Sequence, residues 1–309
     1  MSSAENKNIL AELSSRLSRA VEQASQYVVA IHARRRIPSS GVVWREGVIV
    51  SASHTVRRDG AVRVTLASGE DIEAQVAGRD ATTDLVVLRA GNLKAAAAPP
   101  AERDASKVGS LVLAVGRPGR NVTASFGIVS ADVEGWRTGS GARLDRVLRL
   151  DLAVYDGFSG GPLVAPSGGV IGINNSAFAR GGAAALPASV VDAVVDELLA
   201  RGHIRRPFIG IGVHPVALGA AAIQRHNLTS EAALVVVSIA EGEAADEAGV
   251  LLGDVLVGVG GQPLAHSSDL LDALSAVPEG ASIQLTVLRG GTVQNVEIAP
   301  RDRDRGAAA

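Results

Sequence analysis

Leu10, Leu13, Leu17 and Val21 recur three or four positions apart, the period of one helical face, so residues 5–25 read as an amphipathic helix. Four apolar positions fall short of the sustained heptads of a coiled coil, so the helix is expected to dock on the adjoining domain rather than to pair with another copy. From Tyr27 the period shortens. Val- and Ile-rich runs at 27–33, 41–50, 61–66, 71–78 and 85–90 alternate with polar turn residues and read as strands, His32 among them as an ordinary strand residue. A polar, proline-bearing connector at 95–106 leads to a second series at 111–115, 122–130, 146–152, 163–165, 170–174 and 183–186. Short strands without intervening helical patterns argue for an all-β barrel or sandwich, and two clusters of similar length argue for two packed barrels.

A helix then closes the series. Pro187 leads in, Ser189 and Asp192 are placed to cap it, Val190, Val191, Val194, Leu198 and Leu199 share a face, and Gly202 ends it. Beyond the charged, proline-bearing residues 203–207 the pattern changes: strands at 234–239, 255–259, 283–288 and 293–298 alternate with short helices at 244–248 and 268–275. The expected organisation is an N-terminal helix (1–25), a β domain (26–202), a linker (203–207), a compact α/β domain (208–301) and a disordered tail (302–309).

Composition narrows the chemistry. Only 3% of the residues are aromatic, so the cores are filled with Val, Ile, Leu and Ala, which suits strands. Thirty basic against 32 acidic residues give a net charge of -2, without the basic footprint of a nucleic-acid binder, and the arginines at 34–36 read as a solvated strand end. The absence of cysteine excludes disulfides, thiolate metal sites and cysteine nucleophiles. No apolar run is long enough to span a bilayer, and no basic segment followed by an apolar stretch opens the chain. The sequence as it stands reads as soluble and cytoplasmic, or as periplasmic or envelope-located if a leader was trimmed.

The stretch 155–164, YDGFSGGPLV, sets one serine among three glycines between apolar runs. It satisfies the GxSxG elbow of α/β-hydrolases and the GxSGGP turn of chymotrypsin-like proteases. The elbow needs a helix directly after the serine, and Gly160, Gly161 and Pro162 do not suit one. A phosphate cradle lacks the Lys and Ser/Thr of a P-loop, while an inert glycine-rich hairpin is the alternative without chemistry. Upstream, His54 lies just past the apolar strand GVIV, and Asp84 opens the strand LVVL. His, Asp, Ser is the chain order of the chymotrypsin-type triad. Asp80 is the lesser candidate for the acid, since no apolar strand comes directly after it. The remaining histidines have no metal-ligand spacing or carboxylate companions, so no cofactor is expected.

In VVWREGVIVSASHTV, VTLASGEDIEAQVAGRDATTDLVVL, LAVYDGFSGGPLV, GVIGIN, AAALPAS, RRPFIGI, AEGEAADEAGVLLGDVLVGVGG and LTVLRGG, taken in order, the chain resembles an HtrA/Deg-type trypsin-like serine protease carrying one PDZ domain. The resemblance covers about 21–300 and implies a mainly β fold, a chymotrypsin-like double β-barrel followed by a small α/β PDZ domain. It implies catalysis by His54, Asp84 and Ser159, with an oxyanion hole from the N–H groups of Gly157 and Ser159. Phe208, Ile209, Gly210 and Ile211 match the carboxylate-binding loop of the PDZ domain, where a C-terminal peptide adds as a strand; their alternative role is as core residues of the first strand. The implied activity is ATP-independent endoproteolysis of unfolded or misfolded polypeptides, with preference for small aliphatic residues before the cut and pocket walls at 153–158 and 174–182. A homotrimer and a mobile sensor loop at 132–145 belong to the same expectation; a non-proteolytic chaperone or peptide sensor is the rival. The main departure is Phe158, where the family usually carries a small polar residue, and Thr55 replaces a usual apolar one.

Overall fold

The computed structural model describes residues 2–34, 36–91, 93–102, 104–137, 143–178 and 182–302. The chain divides into two compact units, Met1–Ile204 and Arg205–Ala309. The first opens with helix α1 (Ser2–Ser25) and is otherwise two closed six-stranded barrels. Strands β1 (Val28–Ile31), β2 (Ser39–Arg45), β3 (Val48–Ala52), β4 (Ala61–Thr65), β5 (Asp71–Asp80) and β6 (Leu85–Arg89) close in the order β1-β2-β3-β6-β5-β4. Strands β7 (Leu111–Gly116), β8 (Thr123–Arg137), β9 (Arg143–Asp151), β10 (Pro162–Val164), β11 (Val170–Asn175) and β12 (Ala183–Pro187) close in the order β10-β11-β12-β9-β8-β7. This is the chymotrypsin-like double barrel expected from the strand spacing and the resemblance. Closure removes the free edges a small sheet would otherwise expose.

The cores are aliphatic, with Ile31, Ile49, Leu85, Leu88, Leu148, Leu163, Ile173 and Leu186 fully buried. Helix α1 docks only through its later turns: Ala20 and Ala24 are buried and Leu17 and Val21 pack on the core, while Ile9 and Leu10 stand exposed. The full stripe from Leu10 to Val21 is therefore not covered. The Arg117 guanidinium fixes the helix end by donating to the carbonyls of Ser25 at 2.7 Å, Val28 at 2.8 Å and Arg120 at 2.9 Å. A cation at a helix C-terminus is favourable because the orphan carbonyls and the macrodipole make that end negative.

Helix α2 (Ala188–Arg201) closes the unit and corrects one expectation. Its N-cap is Pro187, with no side-chain cap bond, so Ser189 and Asp192 lie inside the helix. The Asp192 carboxylate turns outward to accept from Trp44 Nε1 at 2.9 Å and Arg45 at 2.8 Å, tying α2 to β2. Gly202 ends the helix at φ 80, the left-handed geometry that glycine adopts without steric cost.

The segment expected to be a mobile sensor loop is largely ladder in its described part: Asp132 pairs with Leu148 and Trp136 with Leu144. Asp132 accepts from Arg146, which holds its carboxyl below the usual carboxylate range. Trp136 packs partly buried against the core. Residues 138–142 lie outside the described residues, as do 179–181 of the second predicted pocket wall, Arg35 of the arginine run and 303–309 of the predicted tail.

In the second unit, β13 (Pro207–Phe208) pairs with β20 (Arg301–Asp302), so Asp302 is ladder rather than tail. Strands β14 (Ile211–Ala217), β15 (Ala232–Ile239), β16 (Val255–Val259), β18 (Ile283–Arg289) and β19 (Thr292–Ile298) form one sheet, with β17 (Gln262–Pro263) paired to β16. Helices α3 (Ala220–His226), α4 (Ala244–Glu247) and α5 (Ser267–Ser275) complete it. Sequence periodicity does not reveal α3, because none of its residues is buried and no apolar face marks it. Asp254, almost wholly buried, accepts from the Arg289 guanidinium at 2.7 Å and from the Leu251 N–H at 2.8 Å. The Arg289 bond, more than the burial that opposes it, holds the Asp254 carboxyl below the usual carboxylate range.

Candidate active site

Two neighbouring strand ends bring His54 and Asp84 together. β3 and β6 are antiparallel with Ala52 opposite Leu85, so the residues just after β3 lie beside those just before β6. The chain leaves β3 through a single 3₁₀ turn, Ser53–Thr55, and the Ser53 N–H donates to the Asp84 carbonyl at 2.7 Å. Asp84 sits at φ 51, a left-handed conformation uncommon for a residue with a side chain. Its Oδ1 accepts the His54 backbone N–H at 2.7 Å, and its Oδ2 hydrogen-bonds His54 Nδ1 and accepts Asn175 Nδ2 at 2.9 Å. A carboxylate has no proton to give, so Nδ1 carries the hydrogen and the imidazole's Nε2 is left with the free lone pair. Asp80, the lesser candidate, spends its carboxylate on the turn after β5, accepting from the N–H groups of Thr82 and Thr83 and from Thr83 Oγ1.

Ser159 lies on a turn between β9 and β10, folded back on itself and onto the first barrel. Phe158 N–H donates to Tyr155 O at 3.0 Å, Gly161 N–H to Phe158 O at 2.9 Å, and Gly160 N–H to Asn174 O at 2.9 Å. Gly157 and Gly160 take φ 88 and 86. A Cβ on Gly160 would stand 2.4 Å from Ser40 O and 2.7 Å from Ala52 N, so only glycine lets the turn approach the end of β3 this closely. From β2, the buried Ser40 donates its hydroxyl to Gly157 O at 2.6 Å and accepts the Arg117 N–H at 2.8 Å. Phe158 is not a loose departure: it is 1% exposed, meets Tyr155 edge-to-face at 5.4 Å, and packs where a Cβ on Gly116 would collide.

Sequence reasoning missed Asn175 and Ser176 as individual residues, although they fall within the predicted wall at 174–182. Asn175 bonds Asp84, while Ser176 Oγ lies 2.9 Å from Ser159 Oγ. These adjacent residues thus join the Asp84 carboxylate to the Ser159 hydroxyl. Among the described residues Ser159 makes no hydrogen bond to His54. The N–H groups of Gly157 and Ser159, the expected oxyanion donors, also bond no described group. No set of three or more His, Asp or Glu among the described residues is arranged to hold a metal ion.

The chain is similar to known proteins in both of its units. The family model for the trypsin-like peptidase domain matches residues 39–173, and that for the PDZ domain matches residues 207–299. A probable periplasmic serine endoprotease DegP-like from Brucella suis biovar 1 (strain 1330) is 35% identical over 286 residues, covering 89% of this chain and 55% of its own. The chain carries a trypsin-like peptidase domain and one PDZ domain, and it is similar to DegP-like and HtrA-type proteases. It spans about half the length of the curated relatives it matches; the DegP-like protein of Pseudomonas putida (strain W619), 29% identical, covers 84% of this chain and 54% of its own. The serine endoprotease from Yersinia pestis superposes with a TM-score of 0.75 at 26% identity, covering 93% of this chain and 97% of that one. The HtrA-type protease AlgW with tripeptide gives 0.72 at 26% identity, covering 94% and 99%.

Within the PDZ unit, Phe208 lies in β13, Ile209 and Gly210 form a break, and Ile211 starts β14, which is an edge strand of the sheet. Ile209 is the buried core residue of the four, Ile211 packs partly on that core, and Phe208 is half-buried. The carbonyls of Ile209 and Gly210 are tied inward by the N–H groups of Ala245 and Ala240, each at 2.8 Å. No peptide bond described is cis. In a trans peptide the N–H points opposite its carbonyl, so the N–H groups of Gly210 and Ile211 face away from those partners. Gly210, at φ 82, has no room for a side chain: a Cβ would lie 2.4 Å from that of Glu243.

Proposed function

We propose that this chain is a serine endopeptidase that cleaves unfolded or misfolded polypeptides without ATP, and that its PDZ unit binds exposed C-termini. The observation that carries the reading is the Asp84 carboxylate, engaged at once by His54 Nδ1 and by Asn175, whose neighbour Ser176 holds Ser159. With Nδ1 protonated, His54 Nε2 is the base. It takes the Ser159 proton as Oγ attacks the scissile carbonyl, then returns that proton to the leaving amine, while Asp84 orients and stabilises the imidazolium. The developing oxyanion is received by the N–H groups of Gly157 and Ser159, each worth about 3 kcal/mol in such a site.

The Phe158 carbonyl accepts Gly161 N–H, so the Ser159 N–H points away from Gly161. Gly157 O is held by Ser40, and Phe158 N–H by Tyr155. The Asp156 carbonyl has no hydrogen-bond partner among the described residues, and its peptide plane supplies the Gly157 N–H. The turn's hydrogen bonds support the Ser159 N–H as the held oxyanion donor, and the Asp156–Gly157 peptide is the part of the turn without such a bond at its carbonyl.

For the PDZ unit, β-augmentation along the edge of β14 with the carboxylate on the N–H groups at 209–211 is the matching mode. Small aliphatic preference before the cut, a trimeric assembly and coupling of the β8–β9 hairpin to peptide binding are carried from the family as part of the same proposal. The compartment proposed is the periplasm, which relatives' names carry. No helix among the described residues is long and apolar enough to cross a membrane.

The test is degradation of unfolded casein in nucleotide-free buffer, set against the Ser159→Ala chain. Cleavage by the first and none by the second is expected. Casein binding without cleavage by either would overturn the enzyme reading in favour of a resting, chaperone-like scaffold.

A further inference from the structure

The partner of the proposed nucleophile in this structure is another serine, and the placement of that serine is fixed rather than incidental. Ser176 directs both its hydroxyl, at 2.9 Å, and its backbone N–H, at 3.4 Å, to Ser159 Oγ. Asn175, immediately before it, pairs with Ala184 in the β11–β12 ladder. Its side chain spans the turn, with Nδ2 donating to Asp84 at 2.9 Å and Oδ1 accepting the Ala177 N–H at 2.8 Å. Ser176 therefore hangs from a ladder residue whose side chain is locked at both ends.

We propose that Ser176 is a positioning residue that holds the Ser159 hydroxyl in a resting orientation and sets how often it is available to His54. This rests on the reading of Ser159 as the nucleophile. A hydroxyl carries one proton and two lone pairs. If Ser159 donates to Ser176 Oγ, its proton is not offered to His54; if Ser176 Oγ donates, that bond and the one from the Ser176 N–H together take both lone pairs of the attacking oxygen. In both cases the bond breaks before Oγ attacks and its proton passes to His54 Nε2. The change needs only a rotation of the Ser159 side chain between staggered wells, which is fast. The effect is therefore on the population of the competent orientation rather than on a separate slow step. Ser176 is exposed, so its own hydroxyl is solvated after release and leaves no buried unsatisfied group.

The size is that of one neutral hydrogen bond, about a fivefold bias. The experiment measures the rate of fluorophosphonate labelling, in which the Ser159 Oγ–P bond forms as fluoride leaves and the proton goes to His54, with the labelled residue mapped by mass spectrometry. Ser176→Ala is expected to label at Ser159 about fivefold faster and to raise kcat on a peptide amide by a similar factor at unchanged KM. Ser176→Thr, which restores the hydroxyl, is expected to bring the rate back down. Equal or slower labelling of Ser176→Ala, with the original chain still labelled at Ser159, would overturn the resting-partner role and leave the protease reading standing. So would a rise that Ser176→Thr fails to reverse, because space rather than the hydroxyl would then be responsible. No labelling at Ser159 in either the original chain or Ser176→Ala would sink the nucleophile reading and the proposal together.

Discussion

Two glycine-bearing loops, 156–161 in the first unit and 208–211 in the second, share a backbone device and differ in the side chains set beside it. In each, carbonyls are tied inward: Gly157 O by Ser40 and Phe158 O by Gly161 in one, Ile209 O by Ala245 and Gly210 O by Ala240 in the other. Each has a glycine in the left-handed region where a Cβ would collide. In the first loop the trans peptide leaves the Ser159 N–H turned away from Gly161, while the Phe158 N–H is held by Tyr155; in the second it turns the N–H groups of Gly210 and Ile211 away from Ala245 and Ala240. The first loop adds Ser159, whose hydroxyl connects through Ser176 and Asn175 to the Asp84 carboxylate that also holds His54. The second adds only the open edge of β14. On the proposed reading, N–H groups free of protein partners receive an oxyanion in both loops, and a nucleophile with an oriented base is what would make an enzyme of the first.

The comparison breaks most severely at Asp84. Asp84→Asn is expected to lower kcat about 10⁴-fold in peptide hydrolysis, because Nδ1 loses its anionic acceptor and the imidazole its orientation. A loss below tenfold would mean that the carboxylate does not orient His54. Binding of a C-terminal peptide to the second unit should not change in this variant, and calorimetry checks that.

Amidating the C-terminus of such a peptide is the matching cut in the second loop. It removes the charge from the hydrogen bonds at 209–211 and should weaken binding about thirtyfold. Equal affinity for the amide would move the binding site away from this loop.

Ser40→Ala is the finer test of the first loop. It frees the Gly157 carbonyl and the Arg117 N–H at a buried position, and should lower kcat about tenfold with little change in KM, since the oxyanion donors act in the transition state. An increase in KM at constant kcat would assign Ser40 to substrate binding instead.

The smallest effect separates scaffold from loop. Because its folded pKa is depressed, the Asp254 carboxylate contributes stability above the ordinary aspartate range, near pH 4, and this is lost as the pH falls toward the folded value. Asp254→Asn should lower the stability of the second unit on the order of 1 kcal/mol at neutral pH and flatten its acid dependence below about pH 4. Thermal melts across that window check the sign; a variant that melts with an unchanged acid profile would remove Asp254 from this role.

Legibility in the sequence depends on how local each determinant is. The double barrel is readable because β-strand period and turn residues are local signals, and the Ser159 turn because its glycines and proline are consecutive. His54 and Asp84 stand out through strand-end position and chain order. Asn175 and Ser176 are hidden, because their partners are 91 and 17 residues away in the chain and meet only when the strands close. Phe158 reads in sequence as a departure from the small polar residue usual in the family, and the sequence does not show that it is buried against Gly116 and Tyr155, contacts from other parts of the turn and barrel. Ser189 and Asp192 look like caps by spacing, but Asp192 is drawn to Trp44 and Arg45. Ile209 to Ile211 carry no chemistry in their side chains, so only the resemblance points to them.

The central claim, that residues from both barrels form one reacting centre, is tested most directly with a peptide chloromethyl ketone carrying a small aliphatic residue next to the ketone. Its ketone is attacked by the serine while its methylene alkylates the base, so one reagent reports both groups. A single adduct on His54 Nε2, dependent on Ser159 and lost in Ser159→Ala, is predicted. Full inactivation with the adduct on another residue, or alkylation of His54 at the same rate without Ser159, would contradict it.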